Sequence, residues 1–285
     1  MRLKGLNELR KLLARLITAL NRLLDSFSIR FNSQYKISRG AELDVFISFF
    51  RKFAPYENGF PLIRIGRNGD GGYLVPDDLA GIAVCYSPGV GDSWEFERQI
   101  AESHGIPSIM LDDTVKPPIG LTPMQSFVSL KLGAFTTSRQ LSLQDWVGQY
   151  SSTGSADDLL LQMDIESHEW LSLLGTPRAV LTRFRILIIE FHSLPLASNP
   201  WILSNVYNPA ISRLLEDFDI VHCHPNNAVG TFRYLGIDFP DTLEVTFHRK
   251  DRALNALTQR SLPHPLDTEC LPLSPPIKIG HIFQY

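Results

Sequence analysis

The chain has 285 residues, of which 44% are hydrophobic, and a formal net charge of -3 at pH 7. This length suffices for one well-buried α/β domain with a modest extension and is short for two domains. Because the slight negative charge gives no broad attraction to phosphate backbones, we predict no nucleic-acid partner.

Three cysteines, Cys85, Cys223 and Cys270, stand too far apart for a disulfide framework or a zinc site of paired cysteines, so we interpret them as reduced thiols. The sequence has no uninterrupted run of about 18 apolar residues and no cleavage signal after an apolar run. These features predict a cytoplasmic protein with neither a spanning helix nor a signal peptide.

The N-terminal segment places apolar residues at alternating steps of three and four from Leu6 to Phe27, which predicts an amphipathic helix with a basic opposite face. Three roles for this helix stay open: it docks on its own domain, pairs with a second copy of the chain in a homo-oligomer, or makes peripheral contact with the inner face of a membrane. A second helix is predicted over residues 41–53, before Pro55. Residues 1–55 therefore form a predicted N-terminal helical extension.

From residue 56 onward, strand and helix patterns alternate. We predict a hairpin in IRIGRNGDGGYLV, helices in SWEFERQIAESHG, LSLQDWVGQY and HEWLSLLG, and buried strands in IAVCYS, SIML, FVSLKLGAF, LLLQMDI, RILIIEF and DIVHCH. LEVTFHRK is predicted as a late antiparallel strand at the sheet edge. The succession predicts a Rossmann-like α/β domain over residues 56–260, with a mostly parallel central sheet and helices on both faces. Five prolines after residue 262 predict an extended, surface-wrapping tail over residues 261–285.

The loop after the first buried strand, SPGVGDSWEF, has the features of a cofactor site. Gly89 and Gly91 permit a tight turn and a close ligand approach, and Ser87 and Asp92 flank them. Trp94 stands where a nicotinamide-binding fingerprint needs a third glycine, which argues against a dinucleotide. We predict that this loop binds a cofactor other than a dinucleotide.

Asp112 ends the second buried strand, 21 residues after Gly91. An acidic side chain at this position is predicted to accept hydrogen bonds from both ribose hydroxyls of the cofactor. Asp113 is predicted to face elsewhere, because successive side chains of an extended chain point to opposite sides.

Acidic residues and histidines end the later strands. Alternate residues of an extended chain share a side, and parallel strand ends meet at one edge of a sheet. We predict Asp164, Glu166 and His192 as acid–base residues, and Asp164, Glu190, His192 and His224 as ligands of a divalent metal such as Mg²⁺ or Mn²⁺. Two alternatives stay open: Asp164 caps the HEWLSLLG helix, or His192 is a buried histidine with a backbone partner.

The motifs RIGRNGDGGYLV, YSPGVGDSWEFE, LDDT, LLLQMDIESHEW and ILIIEFH, in this order, resemble the FkbM-type and related methyltransferase-like proteins over residues 63–249. The resemblance implies a class I methyltransferase fold, S-adenosylmethionine as cofactor, and oxygen methylation of a sugar, glycan or other hydroxylated small molecule. The carboxylates at the sheet edge resemble those of macrocin-type sugar methyltransferases. The chain departs from the FkbM-type pattern at Ser167, where members commonly carry glycine after the Asp-Ile-Glu triplet.

A second interpretation is a catalytically inactive relative that binds the cofactor and acts as a scaffold in a biosynthetic complex. A third, a nicotinamide oxidoreductase, is disfavoured by Trp94.

Overall fold

The structure is a computed structural model that describes residues 29–31, 37–150 and 157–283. The helix predicted from Leu6 to Phe27 lies outside the described residues. In the described part of the chain, no helix is long and apolar enough to cross a membrane.

A seven-stranded sheet forms the centre of the molecule. Its strands, in chain order, are β1 (Ile82–Pro88), β2 (Ser108–Leu111), β3 (Gln125–Val128), β4 (Asp158–Met163), β5 (Phe184–Phe191), β6 (Phe218–Pro225) and β7 (Leu243–Arg249). They lie side by side in the order β6-β7-β5-β4-β1-β2-β3. Six of its strands are parallel, and β7 is antiparallel to both of its neighbours. The predicted mixed α/β fold with a mostly parallel sheet is therefore confirmed.

The prediction that β7 lies at the sheet edge is wrong, although its antiparallel direction is confirmed. β7 inserts between β5 and β6 and pairs with both. Six of its seven residues are buried, since two strands flank it and both of its faces are covered. β6 takes the edge position instead.

The segment FVSLKLGAF was predicted as one strand and forms two. β3 ends at Val128, and the Leu130 N–H then donates to the Val128 carbonyl, which turns the chain out of the sheet. Residues Lys131–Gly133 pair in parallel with Gln140–Ser142 in a separate ribbon.

Helices cover both faces of the sheet, as predicted. Successive strand residues point to opposite sides, so a strand that is apolar throughout packs into a core on each face. Leu159 and Leu161 of β4 pack into one core cluster, and Leu160 packs into the other. The first cluster contains most of the helices, whereas helix Glu95–His104 and a hairpin cover the second. The helices are Leu43–Arg51, Glu95–His104, Leu143–Tyr150, Glu169–Gly175, Arg178–Leu181, Pro200–Ile202, the π-helical Leu203–Tyr207, Asn208–Asp217, and the 3-10 turns Leu194–Ser198, Lys250–Arg252 and Gly280–Phe283.

The remaining strands form short antiparallel ribbons. The predicted hairpin is confirmed, with Leu62–Gly66 paired to Gly72–Pro76. The other ribbons are Ile29–Phe31 with Ile37–Arg39, Tyr56–Glu57 with Thr258–Gln259, and Thr231–Tyr234 with Ile237–Pro240.

Segments from both ends of the described chain join the main core. Helix Leu43–Arg51 buries Phe46, Phe49 and Phe50 there. Ile279 and Ile282 of the proline-rich tail are buried in the same cluster. The tail therefore does more than wrap the surface, because its last turn fills part of the core.

Candidate functional site

Gly89 lets the loop after β1 touch the loop after β4. Its φ is +82°, and a Cβ atom there would lie 1.6 Å from the carbonyl oxygen of Asp164. Only glycine fits a contact this close. Gly91 follows with φ +55°, and its N–H donates to Oδ2 of Asp112 at 3.1 Å.

Asp112 has more hydrogen bonds than the sequence predicts. Its Oδ1 accepts from the backbone N–H of Thr114 at 2.7 Å and from the Thr114 hydroxyl at 2.6 Å. Together with the bond from Gly91, these contacts fix two loops around one buried carboxylate. Asp113 instead pairs with Lys131 at 3.7 Å.

Two cavities meet at the loop after β1. The first has a volume of about 220 Å³ and is bounded by Asp112, Asp113, Thr114 and Lys131. The second, of about 350 Å³, is bounded by polar side chains of three separate segments. Residues that line both cavities are Gly89, Gly91, Asp164 and Glu166. Residues that line only the second include Arg67, Asp70, Tyr73, Asp92, Ser93, Glu97 and Gln162.

Ser87 lies beneath this loop, in a buried polar network. Its hydroxyl contacts the Glu97 carboxyl and lies 2.5 Å from Oε1 of Gln162, whose amide donates to the Tyr73 hydroxyl at 3.2 Å. Ser87 is fully buried, so it supports the loop from below. Asp92 is exposed at the rim of the second cavity.

Glu97 is a site residue that the sequence analysis missed. Burial raises the pKa of its carboxyl from an ordinary 4.5 to about 7, although the hydrogen bond with Ser87 acts in the opposite direction. Its Oε2 is buried and has no hydrogen-bond partner in the described part of the chain. A signal existed, because Glu97 shares the inward face of its helix with Ile100 and Ala101.

His192 lies at the centre of the acidic residues that end β4 and β5. Its Nδ1 is 3.0 Å from Oε1 of the fully buried Glu169. Its Nε2 faces Oδ1 of Asp164 at 3.7 Å, Oε2 of Glu166 at 3.7 Å and Oε1 of Glu190 at 3.6 Å. The structure thus brings together four of the predicted residues and adds Glu169 as the partner that orients the imidazole.

The alternatives left open for Asp164 and His192 do not describe this geometry. The N-cap of helix Glu169–Gly175 is His168, so Asp164 does not cap it. The partner of the His192 ring is a carboxylate and not a backbone group. Trp170 supports the same residue from behind, because its indole N–H donates to the His192 carbonyl at 2.9 Å.

Two strained loops carry these side chains. Glu166, Ser167 and Ser193 have φ values of 53°, 79° and 59°, in the left-handed region that favours glycine. The hydroxyls of Ser167 and Ser193 lie 2.6 Å apart and join the loop after β4 to the loop after β5.

Burial and mutual repulsion shift the pKa values around His192. Burial lowers the pKa of His192, but the hydrogen bond with Glu169 and the charges of Glu169, Asp164 and Glu166 outweigh it and raise that pKa to about 9. Burial raises the pKa of Asp164 to about 7, against the effect of His192. Burial and the charge of Asp164 also raise the pKa of Glu190. The carboxylates that face the imidazole therefore favour its protonated, cationic form.

His224, the fourth predicted metal ligand, lies farther along the sheet. Because β7 inserts between β5 and β6, the register runs from Glu190 to Glu244 and then to His224. His224 is one strand removed from the His192 centre, and its Nδ1 is 3.7 Å from Oδ2 of Asp267. Asn226, next to β6, donates to Oε1 of Glu190 at 2.8 Å.

Comparisons with known proteins identify no family for this chain. No protein-family model and no curated protein matches the sequence. Among solved structures, the chain is similar to the antibiotic-resistance methyltransferase Kmr, with 16% sequence identity and a TM-score of 0.30 over 65% of this chain and 99% of that one. A TM-score of this size does not establish a shared fold.

Proposed function

We propose that this chain is an S-adenosylmethionine-dependent methyltransferase of the class I fold that methylates a hydroxyl of a sugar, glycan or other small molecule. The observation that carries the proposal is the pair of cavities that meet at Gly89, beside Asp112 on one side and Glu97 on the other. Both lie at the carboxyl ends of the central parallel strands, where ligands of open α/β sheets bind.

The two cavities suit the two halves of the donor. Asp112 lines the first, where its carboxylate would accept hydrogen bonds from ribose hydroxyls in addition to those from Gly91 and Thr114. Arg67 and Glu97 line the second and match the carboxylate and ammonium of an amino acid. When bound, S-adenosylmethionine would supply an electrophilic methyl group near the residues shared by both cavities.

We assign removal of the proton of the acceptor hydroxyl to the centre around Asp164 and His192. Methyl transfer to oxygen needs alignment of the acceptor and removal of one proton. Asp164 lines both cavities, and 27% of its side chain remains exposed. Asp164 is the base that takes this proton. Glu166 and His192 are neighbours that hold the methyl-accepting molecule in place.

The same residues fit a divalent cation. Asp164, Glu166 and His192 each offer one ligand atom, and these atoms lie within 4.8 Å of one another. Oδ1 of Asp164 is buried and has no hydrogen-bond partner among the described residues. Glu169 holds the far side of the His192 ring, as carboxylates do for metal-bound histidines. Mg²⁺ or Mn²⁺ held there, with Glu190 adjoining, would lower the pKa of an acceptor hydroxyl.

Transfer of labelled methyl from S-adenosylmethionine to a panel of sugars, nucleotide sugars and glycans tests the proposal. We expect turnover that falls after chelation and returns with Mg²⁺ or Mn²⁺. Asp164→Asn should lower the rate by about 100-fold or more, whereas Asp44→Asn, on the exposed side of helix Leu43–Arg51, should not change it. Donor binding without transfer to any acceptor would favour the inactive scaffold, and absence of donor binding in calorimetry would refute both.

A further inference from the structure

A second cluster of potential ligands lies beside the His192 centre. It combines Glu244 of β7, Cys270 of the tail and Asp70 at the tip of the Leu62–Pro76 hairpin. One ligand atom from each lies within 4.8 Å of the others. Glu244 and Cys270 are 7% and 8% exposed, and the Cys270 thiol donates to Oε1 of Glu244 at 3.0 Å.

An unpaired nitrogen of His224 is independent evidence that an ion binds beside this cluster. It pairs in register with Glu244 across β6 and β7, so the two side chains stand next to each other on one face. His224 is 5% exposed, and its Nε2 is buried without a hydrogen-bond partner in the described part of the chain. An unpaired ring nitrogen at this depth is costly unless it binds something.

Asp267 orients this histidine. Its Oδ2 lies 3.7 Å from Nδ1 of His224, while its Oδ1 accepts from Nε2 of His222 at 2.8 Å. Nε2 of His224 is therefore the nitrogen on the side away from Asp267. A carboxylate behind one ring nitrogen and an open second nitrogen is the arrangement of metal-binding histidines.

We propose that Cys270, Glu244 and Asp70 hold a zinc ion, and that His224 turns its unpaired Nε2 toward them as the fourth ligand. A thiolate, an imidazole and carboxylates are the ligands that Zn²⁺ takes in tetrahedral sites. Mg²⁺ and Mn²⁺ prefer oxygen ligands, so this site differs in metal preference from the oxygen-rich centre around His192.

Two arginines of the hairpin, Arg64 and Arg67, lie near the cluster. The Arg64 guanidinium donates to the carbonyls of Arg67 and Gly69, at 3.0 Å each, and so caps the hairpin turn. Arg67 pairs with Asp70 across 3.7 Å on the surface, so a metal ion in the cluster would compete with Arg67 for the Asp70 carboxylate. Glu244 receives only the weak thiol donor of Cys270 among the described hydrogen bonds.

The site would join three separate segments. Cys270 belongs to the proline-rich tail, Asp70 to the hairpin, and Glu244 and His224 to the sheet. A bound ion would therefore fasten the tail and the hairpin over the sheet edge that carries Glu190. We expect its role to be structural, since the protein supplies all four proposed ligands and a catalytic zinc site keeps one position open.

Cobalt titration of the chelator-treated full-length protein tests the site, because Co²⁺ bound to thiolate gives a charge-transfer absorption in the near ultraviolet that oxygen and nitrogen ligands do not give. We expect this absorption in the wild type and its loss when Zn²⁺ is added. It should be absent in Cys270→Ala and retained in Cys223→Ala, which removes another buried thiol. Asp164→Asn should also retain it, so failure of the proposed methyltransferase function would leave this result unchanged.

His224→Gln guards against a folding defect in the cysteine variant. It keeps the thiol and should weaken cobalt binding by at least about tenfold while the circular dichroism of the protein is unchanged. The zinc site is refuted if the wild type gives no thiolate absorption, if that absorption persists in Cys270→Ala, or if His224→Gln binds cobalt as tightly as the wild type.

Discussion

Asp112 acts on two loops at once. Its two carboxylate oxygens accept from Gly91 and from both donors of Thr114, so the loops after β1 and β2 share one acceptor. Removal of the carboxylate therefore affects the shape of the first cavity as well as contacts with a ligand.

We predict that Asp112→Ala weakens S-adenosylmethionine binding by at least about tenfold, since charge-assisted hydrogen bonds contribute about 1.5–3 kcal/mol each. It should also lower the thermal midpoint, because Gly91 and Thr114 lose their acceptor. Asp113→Ala should change donor binding much less. Calorimetry and thermal unfolding of both variants measure these effects. The opposite order of donor affinities would show that Asp113 is the residue that contacts the ribose.

At the scale of elements, the loops after β4 and β5 hold the His192 centre together. Ser167 and Ser193 both have left-handed backbones, and their hydroxyls join the two loops. A left-handed residue other than glycine costs about 1 kcal/mol, so this contact offsets local strain.

We predict that Ser167→Gly is close to neutral for stability, because relief of the strained backbone offsets the lost hydrogen bond of about 1 kcal/mol. Ser167→Ala keeps the strain and loses the bond, so it should be less stable than Ser167→Gly by about 1 kcal/mol. The order should reverse at Ser126, an exposed residue of β3, where glycine weakens a strand. Denaturant unfolding measures each difference. Equal stability of the two Ser167 variants would contradict this account.

The sequence predicts the central strands and their neighbouring helices because runs such as RILIIEF are apolar on both faces. It also places Asp164, Glu190 and His192 together, because parallel strand ends meet at one edge. It does not predict that Glu169 orients His192, since the two residues come from different segments joined only by packing. It also does not predict that Cys270 lies beside Glu244, because nothing in a proline-rich tail indicates where the tail docks.

At the scale of the whole molecule, Glu97 links pH to stability. Its pKa is raised to about 7 when folded, against an ordinary 4.5. Below about pH 4.5 its carboxyl is protonated in the folded and the unfolded protein, so no charge is buried and stability is not reduced. As pH rises through about 7, the unfolded chain holds the charge in water more favourably, so folding loses stability.

We predict that the protein without donor loses stability between about pH 5 and 8, and that Glu97→Gln removes up to about 3 kcal/mol of this loss. The variant should match the wild type near pH 5 and exceed it near pH 8. Thermal midpoints across this range provide the measurement, with Glu102→Gln, an exposed residue of the same helix, as the control. A pH dependence identical in wild type and Glu97→Gln would show that the buried carboxyl has another partner.

The position of β7 also sets an order on synthesis at the ribosome. β5 and β6 are complete by Pro225, yet each leaves one edge without its partner until Leu243–Arg249 has been made. A nascent chain that ends before Leu243 therefore carries two apolar strands with open edges, which are prone to pair with other chains. Glu244 arrives on that same late strand. The row of Glu190, Glu244 and His224 across β5, β7 and β6 is therefore assembled only when β7 closes the sheet.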